Sequence, residues 1–258
     1  MFLLLLPKVV SYLYEVFINP IRYNMALSKK QKEQVTRQIK GNQHPTHKVD
    51  IALIEDFKLM DFIVYQDILN PEGVAALYLA QWLVFNNGLY DGKTVIDIGC
   101  GSGIQGIVMA QYGAKSVLSS DIAEGAVKNT RENVTSYGLE RKVNVVQGDL
   151  FEKIDRKADL IVFNHPFFPA EPYPEIPVSL AMLNNGELIH RFLDDARRYL
   201  EMAGRIIMPY FEMAGKVNDP LVQGPKHGYQ TEMRFRLNAQ DGLQKGNILI
   251  YELGQKAR

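Results

Sequence analysis

Three alternating glycines follow a short apolar stretch near the middle of the chain. Gly99, Gly101 and Gly103 come directly after residues 94–98, which are β-branched apart from Asp97. Glycine has no side chain, so the backbone can turn tightly there and approach a ligand closely. Residues 104–112 have helical spacing, so the glycines connect a buried strand to the N-terminus of a helix. This arrangement is typical of a nucleotide-binding loop, although a tight turn without a ligand gives the same pattern.

Two acidic residues follow the next two predicted strands. Asp121 ends the strand at 117–121, and Asp149 follows the strand at 143–146. Asp121 lies near the ~20-residue offset at which an acid usually holds a ribose. Ile122 and Leu150, directly after the two acids, are predicted to line the same site. Further along the chain, residues 159–163 read as a fourth strand, followed by the sequence Asn-His-Pro-Phe-Phe at 164–168.

This set of motifs resembles the class I S-adenosylmethionine-dependent methyltransferases. The family's D-x-G-x-G-x-G pattern is matched from Asp97 to Gly103, and its N-P-P-[YF] motif is matched by residues 164–167. His165 is the one departure, because the family has proline there. The resemblance covers residues 65–253 and is closest to the amino-nitrogen branch, which includes protein-glutamine and adenine N-methyltransferases.

The resemblance implies S-adenosyl-L-methionine as cofactor and S-adenosyl-L-homocysteine as product. It assigns Asp121 to the ribose hydroxyls and Asp149 to the adenine amino group. Asp97 is expected to fix the glycine loop and to meet the methionine amino group directly or through water. Cys100, the single cysteine, is expected to be a small buried residue of the cofactor site. No metal site is expected.

The catalytic prediction rests on Asn164, His165 and Phe167. Asn164 ends the fourth strand, where open α/β sheets place their ligands. Its side-chain oxygen and the main-chain carbonyl of His165 can accept two N–H groups and orient a target nitrogen. Phe167 or Phe168 offers a flat face for the acceptor, unless both are simply buried. The His165 ring either lines the pocket or acts as a general base, since its unperturbed pKa is near 6.5.

The composition limits the choice of partner and compartment. The 29 basic and 29 acidic residues give a formal net charge of +0, whereas nucleic-acid-binding proteins usually carry a basic excess. One cysteine cannot form a disulfide within the chain, which favours a reducing, cytoplasmic setting. The loop at 169–177 carries Glu171 and Glu175 and is predicted to overhang the acceptor, which favours a neutral or cationic acceptor; a stiff solvated connector is the alternative.

Residues 1–48 are predicted to be a helical appendage for substrate selection or dimerisation. Residues 2–18 are apolar but contain Lys8 and Glu15, and such charges argue against a membrane span. A helix that packs on the core or on a second copy is expected there, with a membrane-surface helix as the alternative. A polar helix capped by Ser28 follows at 28–40, and its basic residues either face solvent or contact RNA or an acidic protein.

The remainder, 49–258, is predicted to be one doubly wound α/β domain. Residues 49–64 do not separate helix from strand, and a helix is expected from the loop at 65–73 to residue 86. That loop either lines the methionine end of the cofactor or merely starts the helix. A helix is expected over 186–202, with Arg191 as a surface or scaffold residue. Strands at 205–211, 232–237 and 247–253 complete a mostly parallel, seven-stranded sheet whose last strand is antiparallel.

The function predicted is methyl transfer to an amide or amine nitrogen of a protein side chain or small molecule. An RNA or DNA adenine methyltransferase is the alternative within enzymes, and the neutral charge disfavours it. A protein that binds the cofactor without transferring its methyl group is the alternative outside enzymes.

Overall fold

The computed structural model describes residues 27–240 and 245–256. Its centre is a seven-stranded sheet with the order β5-β4-β3-β6-β7-β9-β8. Strand β9 runs antiparallel to both of its neighbours, and the remaining pairs are parallel. The predicted doubly wound sheet with an antiparallel last strand is therefore confirmed. The strands of this sheet are β3 (Thr94–Ile98), β4 (Ser116–Asp121), β5 (Val143–Gln147), β6 (Ala158–Phe163), β7 (Leu200–Phe211), β8 (Tyr229–Gln240) and β9 (Lys245–Gln255).

Helices cover the sheet on both faces, because the central strands carry apolar side chains on both faces. On β3, Val95 belongs to one hydrophobic cluster and Ile96 to the other, and both are fully buried. Such strands need packing partners on each side. The helices are α1 (Lys29–Gly41), α2 (Val74–Phe85), α3 (Ile104–Gln111), α4 (Glu124–Ser136), α5 (Glu187–Tyr199) and α6 (Pro220–Gln223). Pro177–Ala181 forms a 3₁₀ helix.

The stretch that the sequence left undecided, 49–64, forms a β-hairpin. Its strands are β1 (His47–Ile54) and β2 (Phe57–Val64). Two asparagines of α4 hold the end of β2. Asn133 Oδ1 accepts the N–H of Ile63 at 2.9 Å, and Asn129 Nδ2 donates to the Ile63 carbonyl at 2.8 Å. The hairpin is thereby fastened beside the helix that follows β4.

Helix α1 packs on the sheet domain rather than projecting from it. The predicted Ser28 cap is confirmed, since its hydroxyl accepts the N–H of Gln31. The Gln31 side chain in turn donates to the carbonyls of Met213 and Ala214 at 3.0 and 3.1 Å. Val35 and Ile39 lie in the same hydrophobic cluster as the end of β6. The functional division at residue 48 stays a prediction, and the apolar helix at 2–18 falls outside the described residues.

One helix end was predicted wrongly. The helix expected to run to residue 202 ends at Tyr199, because Leu200 is extended and pairs with Ala158 as the first residue of β7. The sequence keeps helical spacing past Tyr199, but Leu200 is buried and paired in the sheet, and this ends the helix. Across residues 27–240 and 245–256, no helix combines the length and apolar character that crossing a bilayer requires.

Candidate active site

The glycine turn between β3 and α3 has the backbone that its sequence predicts. Gly99, Gly101 and Gly103 have φ values of +64°, +57° and +90°, which residues with a side chain rarely adopt. A Cβ at Gly101 would meet nothing nearer than Ile68 Cγ2 at 4.0 Å, so it would occupy open space beside the turn. A Cβ at Gly103 would instead lie 2.8 Å from Thr130 Cγ2. Gly101 therefore leaves room for a ligand, and Gly103 permits close packing against α4.

A cavity of about 370 Å³ opens beside this turn, at the carboxyl ends of β3, β4 and β6. Its volume lies within the range of small-molecule sites. Asp97 and Gly103 do not line it, whereas the other eight predicted cofactor-site residues do, namely Gly99, Cys100, Gly101, Asp121, Ile122, Asp149, Leu150 and Asn164. The loop before α2 also contributes, through Asp67, Ile68, Leu69 and Pro71. The fold thus brings together residues that are up to 124 positions apart, from Asp67 to Arg191.

Asp121 joins the glycine turn to the end of β4. Its Oδ2 accepts the N–H of Gly101 at 3.0 Å, and its Oδ1 accepts the N–H of Ala123 at 2.9 Å. Burial raises the pKa of this carboxyl above its usual value, and the two N–H groups oppose that rise. A carboxylate has about four lone-pair sites, so acceptor capacity remains for two hydroxyl groups of a ligand.

Asp149 has an unexpected partner. The guanidinium of Arg191 on α5 donates to Asp149 Oδ2, and both residues line the large cavity. Arg191, expected to be a surface or scaffold residue, is an exposed side chain that holds Asp149 in place at the cavity wall. The sequence carried no signal for this contact, because the two residues are 42 positions apart and belong to different elements.

Asp97 lies under the turn and not in the cavity. Its Oδ2 accepts the N–H of Gly106 in α3 at 3.1 Å, and the residue is 2% exposed. Burial raises the pKa of Asp97 to about 7. Asp97 thus makes the contact that fixes the loop, but it is not among the residues that line the cavity. Cys100 is buried at the wall, where Thr130 Oγ1 donates to its sulfur, and burial raises the pKa of the thiol.

The residues after β6 separate into two groups. Asn164 and Pro166 line the large cavity, whereas His165, Phe167 and Phe168 line a smaller cavity of about 40 Å³ behind it. The aromatic faces of Phe167 and Phe168 are therefore absent from the wall of the large cavity. Phe167 packs edge-on against His165 and Tyr210. Asn164 lines both cavities and stands between them.

The His165 ring is fully enclosed. The ring is 2% exposed, and its Nε2 lies 2.8 Å from the carbonyl of Asn218. A carbonyl only accepts, so Nε2 carries the proton in the neutral ring. Burial lowers the pKa of His165 to about 4, and the carbonyls of Asn218 and Phe163 oppose this only in part. The imidazole is therefore neutral at physiological pH.

Known methyltransferases are similar in sequence to this region of the chain. A sequence profile of the family described as ribosomal protein L11 methyltransferase (PrmA) matches residues 80–165, which include the glycine turn, Asp121, Asp149 and Asn164. A Methanocaldococcus jannaschii protein proposed to be a protein N5-glutamine methyltransferase is 29% identical over 192 residues, which cover 72% of this chain and 92% of that protein. Over this stretch the chain is similar to the class I S-adenosylmethionine-dependent methyltransferases.

The L11 methyltransferases resemble only part of this methyltransferase. The one from Carboxydothermus hydrogenoformans is 31% identical over 45% of this chain and 40% of its own length. The chain therefore matches less than half of that relative. Among solved structures, the T. thermophilus 16S rRNA N2 G1207 methyltransferase in complex with AdoMet and guanosine has a TM-score of 0.58 at 18% identity, over 83% of this chain and 51% of the other. At that identity the likeness concerns the fold alone.

The residues of this methyltransferase fit the cofactor of its class. The volume of the cavity lies in the range of small-molecule sites, the position of Gly101 leaves open space at its wall, and Asp121 keeps spare acceptor capacity. Asp149 adds a second carboxylate beside the next strand. The residues that would hold S-adenosylmethionine are therefore the glycine turn, Asp121 and Asp149, with Ile122 and Leu150 as apolar neighbours.

Proposed function

We propose that this methyltransferase transfers a methyl group to an amide or amine nitrogen of a protein side chain. The observation that carries the proposal is the position of Asn164, which directly follows β6 and lines the same cavity as Asp121 and Asp149. The side-chain oxygen of Asn164 can accept an N–H from the acceptor. The names of the relatives support a protein acceptor, because one refers to protein glutamine and others to ribosomal protein L11. The single cysteine favours a cytoplasmic setting.

The bound cofactor supplies an already electrophilic methyl group, so the chain's own residues mainly position the acceptor. Asn164 accepts one N–H through its side chain, and the main-chain carbonyl of His165 is available for a second. In the transfer the acceptor nitrogen would form the new N–C bond as the C–S bond breaks, and the electron pair of the C–S bond would stay on sulfur. The proton lost from the nitrogen would pass to solvent water. Because the His165 ring is enclosed and has a depressed pKa, the backbone role is favoured over proton abstraction by the ring.

An RNA acceptor is the second candidate, and one surface favours it. The exposed side of α1 carries Lys29, Lys32, Arg37 and Lys40 along a shallow groove, with Glu33 as the only acid among its lining residues. Basic groups attract phosphate. The groove does not share a lining residue with the large cavity, so a protein acceptor is preferred.

Transfer of tritiated methyl groups tests the proposal. The wild-type chain is incubated with labelled cofactor and, separately, with peptides, total RNA and DNA, with calorimetry reporting cofactor binding. Asn164→Ala should bind the cofactor normally and lose methyl transfer by ~10² or more, the scale on which misplacement acts. Asn144→Ala is the matched control, because Asn144 is exposed on β5. Transfer to RNA alone, or cofactor binding without transfer to any acceptor, would contradict the proposal.

A further inference from the structure

The smaller cavity lies directly behind Asn164. Four residues, Leu69, Ala76, Asn164 and Ala181, line both this cavity and the large one. Helix α1 supplies part of the opposite wall through Gln38 and Asn42. A group that reaches Asn164 from the cofactor side therefore meets side chains of α1 next. The helix lies outside the segment that matches the L11 methyltransferase profile.

Gln38 brings an unused hydrogen-bond donor to this cavity. The residue is 3% exposed, and its Nε2 has no hydrogen-bond partner among the described residues. Asn42, the other carboxamide that α1 contributes, is paired. Its Nδ2 donates to the Gln38 carbonyl at 2.8 Å, and its Oδ1 accepts the N–H of Asn70 at 2.7 Å. Buried polar groups almost always have partners, so the Gln38 donor points to a missing one.

His165 brings an unused acceptor to the same cavity. Its Nε2 proton is directed to the Asn218 carbonyl, which leaves a lone pair on Nδ1 of the neutral ring. Nδ1 is buried and has no hydrogen-bond partner within the described part of the chain. The cavity wall thus offers one donor and one acceptor. A carboxamide presents the complementary pair, a carbonyl oxygen and an N–H group.

We propose that the smaller cavity is a subsite for the acceptor's carboxamide, in which Gln38 Nε2 donates to the amide oxygen while Asn164 Oδ1 and His165 Nδ1 each accept one amide hydrogen. The ring nitrogen of His165 then takes the place of its main-chain carbonyl as the second acceptor. Gln38 is then a specificity-determining residue that selects an amide over an amine. This inference rests on the proposed function, since it places the reacting nitrogen at Asn164. It also assigns α1 a part in choosing the substrate.

An amine fits this cavity poorly. It has no oxygen to accept the Gln38 donor, and it arrives as a cation in water. The described residues that line the cavity include no carboxylate, and a buried cation without a partner is strongly disfavoured. The volume suits a small polar group, because a water molecule takes about 30 Å³ in the liquid and the cavity measures about 40 Å³. An ordered water between Gln38 and His165 is the competing occupant.

The test uses three peptides that are identical except for one central residue, which is glutamine, asparagine or lysine. Each is incubated with the full chain and tritiated cofactor, and kcat and KM are measured. Two variants remove the donor: Gln38→Met keeps the size, and Gln38→Glu keeps the shape. Thr36→Met is the matched control, because Thr36 is exposed on the other side of α1. Calorimetric cofactor affinity shows that each variant is folded.

We expect the wild-type chain to methylate an amide peptide and not the lysine peptide. Gln38→Met should lower kcat/KM for the amide peptide by about 10-fold or more through KM, with cofactor affinity unchanged. Gln38→Glu should do the same and raise transfer to lysine, a reversal that a mere folding defect does not produce. Thr36→Met should match the wild type.

The two proposals fail in different ways. If the wild type methylates lysine but neither amide, nitrogen transfer stands and the carboxamide subsite is wrong. If it methylates an amide and Gln38→Met behaves like Thr36→Met, the cavity holds only water and the subsite is again wrong. If none of the three peptides is methylated, the protein-nitrogen function itself is overturned, together with the subsite.

Discussion

Arg191 on α5 reaches back to the end of β5 and donates to the carboxylate of Asp149 at the wall of the large cavity. The two side chains are 47% and 35% exposed. Ion pairs at such exposure contribute about 0–1 kcal/mol to stability. The pair therefore matters for geometry more than for folding: it fixes where the Asp149 oxygens point.

This relationship gives a prediction about cofactor affinity. Asp149→Ala should weaken S-adenosylmethionine binding by about 10-fold, the scale of one hydrogen bond to a charged group. Arg191→Gln should weaken it less, because Arg191 acts by holding Asp149. In the double variant the two effects should not add, and affinity should equal that of Asp149→Ala. Calorimetry on the four proteins completes the cycle; additive losses would show that Arg191 contacts the cofactor itself.

Asp121 should matter more than Asp149. Its two oxygens hold the N–H groups of Gly101 and Ala123, so its loss would disturb the turn as well as the ribose contact. Each hydrogen bond to a charged group is worth about 1.5–3 kcal/mol, so Asp121→Ala should reduce cofactor affinity by ~10- to 100-fold. Asp155→Ala, at an exposed acid outside the cavity, is the control. Equal affinity in Asp121→Ala and wild type would refute the ribose assignment.

The sequence predicted the sheet well because its signals are local. Strand β3 is a run of β-branched residues, and Asp121 follows the glycine turn at a characteristic distance. The partners of the site residues depend instead on long-range packing. Nothing in the sequence near Asp149 indicates Arg191, and nothing near Asn164 indicates Gln38, which lies on a helix that precedes the sheet by more than 50 residues.

Side-chain direction was equally hidden from the sequence. The N-P-P-[YF] resemblance offered Phe167 or Phe168 as a flat face for the acceptor. It gave no indication that packing against His165 and Tyr210 would place the Phe167 ring on the wall of the smaller cavity rather than the large one. His165 was an open choice between a base and a pocket residue. Its enclosure follows from a hydrogen bond to Asn218, which is 53 positions away.

The enclosed His165 should make stability depend on pH. Its folded pKa of about 4 lies below the unfolded value near 6.5, so acid protonates the unfolded chain first. The resulting stability is present above pH 6.5 and is lost as the pH falls towards 4. Between pH 7.5 and 5 the loss should be about 2 kcal/mol.

Comparison with His165→Gln isolates this contribution, because the glutamine amide can still donate to the Asn218 carbonyl. Urea unfolding is measured at pH 7.5 and 5 without cofactor. Between these two pH values the variant should lose less free energy of unfolding than the wild type. Asp97 acts in the opposite direction, since its folded pKa of about 7 makes stability fall as pH rises. Both proteins contain Asp97, so its effect cancels. Identical pH profiles would mean that the imidazole takes up its proton over the same pH range in the folded chain as in the unfolded chain.

Removal of the chain before Pro45 should separate cofactor binding from acceptor recognition. The described lining of the large cavity begins at Asp67, so α1 contributes nothing to the cofactor's wall. The deletion keeps Thr46, whose hydroxyl accepts the N–H of Gln66 at 3.1 Å. It removes the buried side chains of Leu27, Val35 and Ile39, each worth about 1.5–3 kcal/mol when fully buried.

That loss is comparable with the lower part of the 5–15 kcal/mol that typically stabilises a domain. The shortened chain should therefore melt at a clearly lower temperature but still bind S-adenosylmethionine within about 3-fold of the full chain, since the cavity wall is intact. Methyl transfer should fall at least as far as in Gln38→Met, because the deletion removes Gln38 and opens the smaller cavity to water. Thermal unfolding, calorimetry and labelled-methyl transfer measure the three effects. A shortened chain without a cooperative transition would show instead that α1 is an integral part of the methyltransferase core.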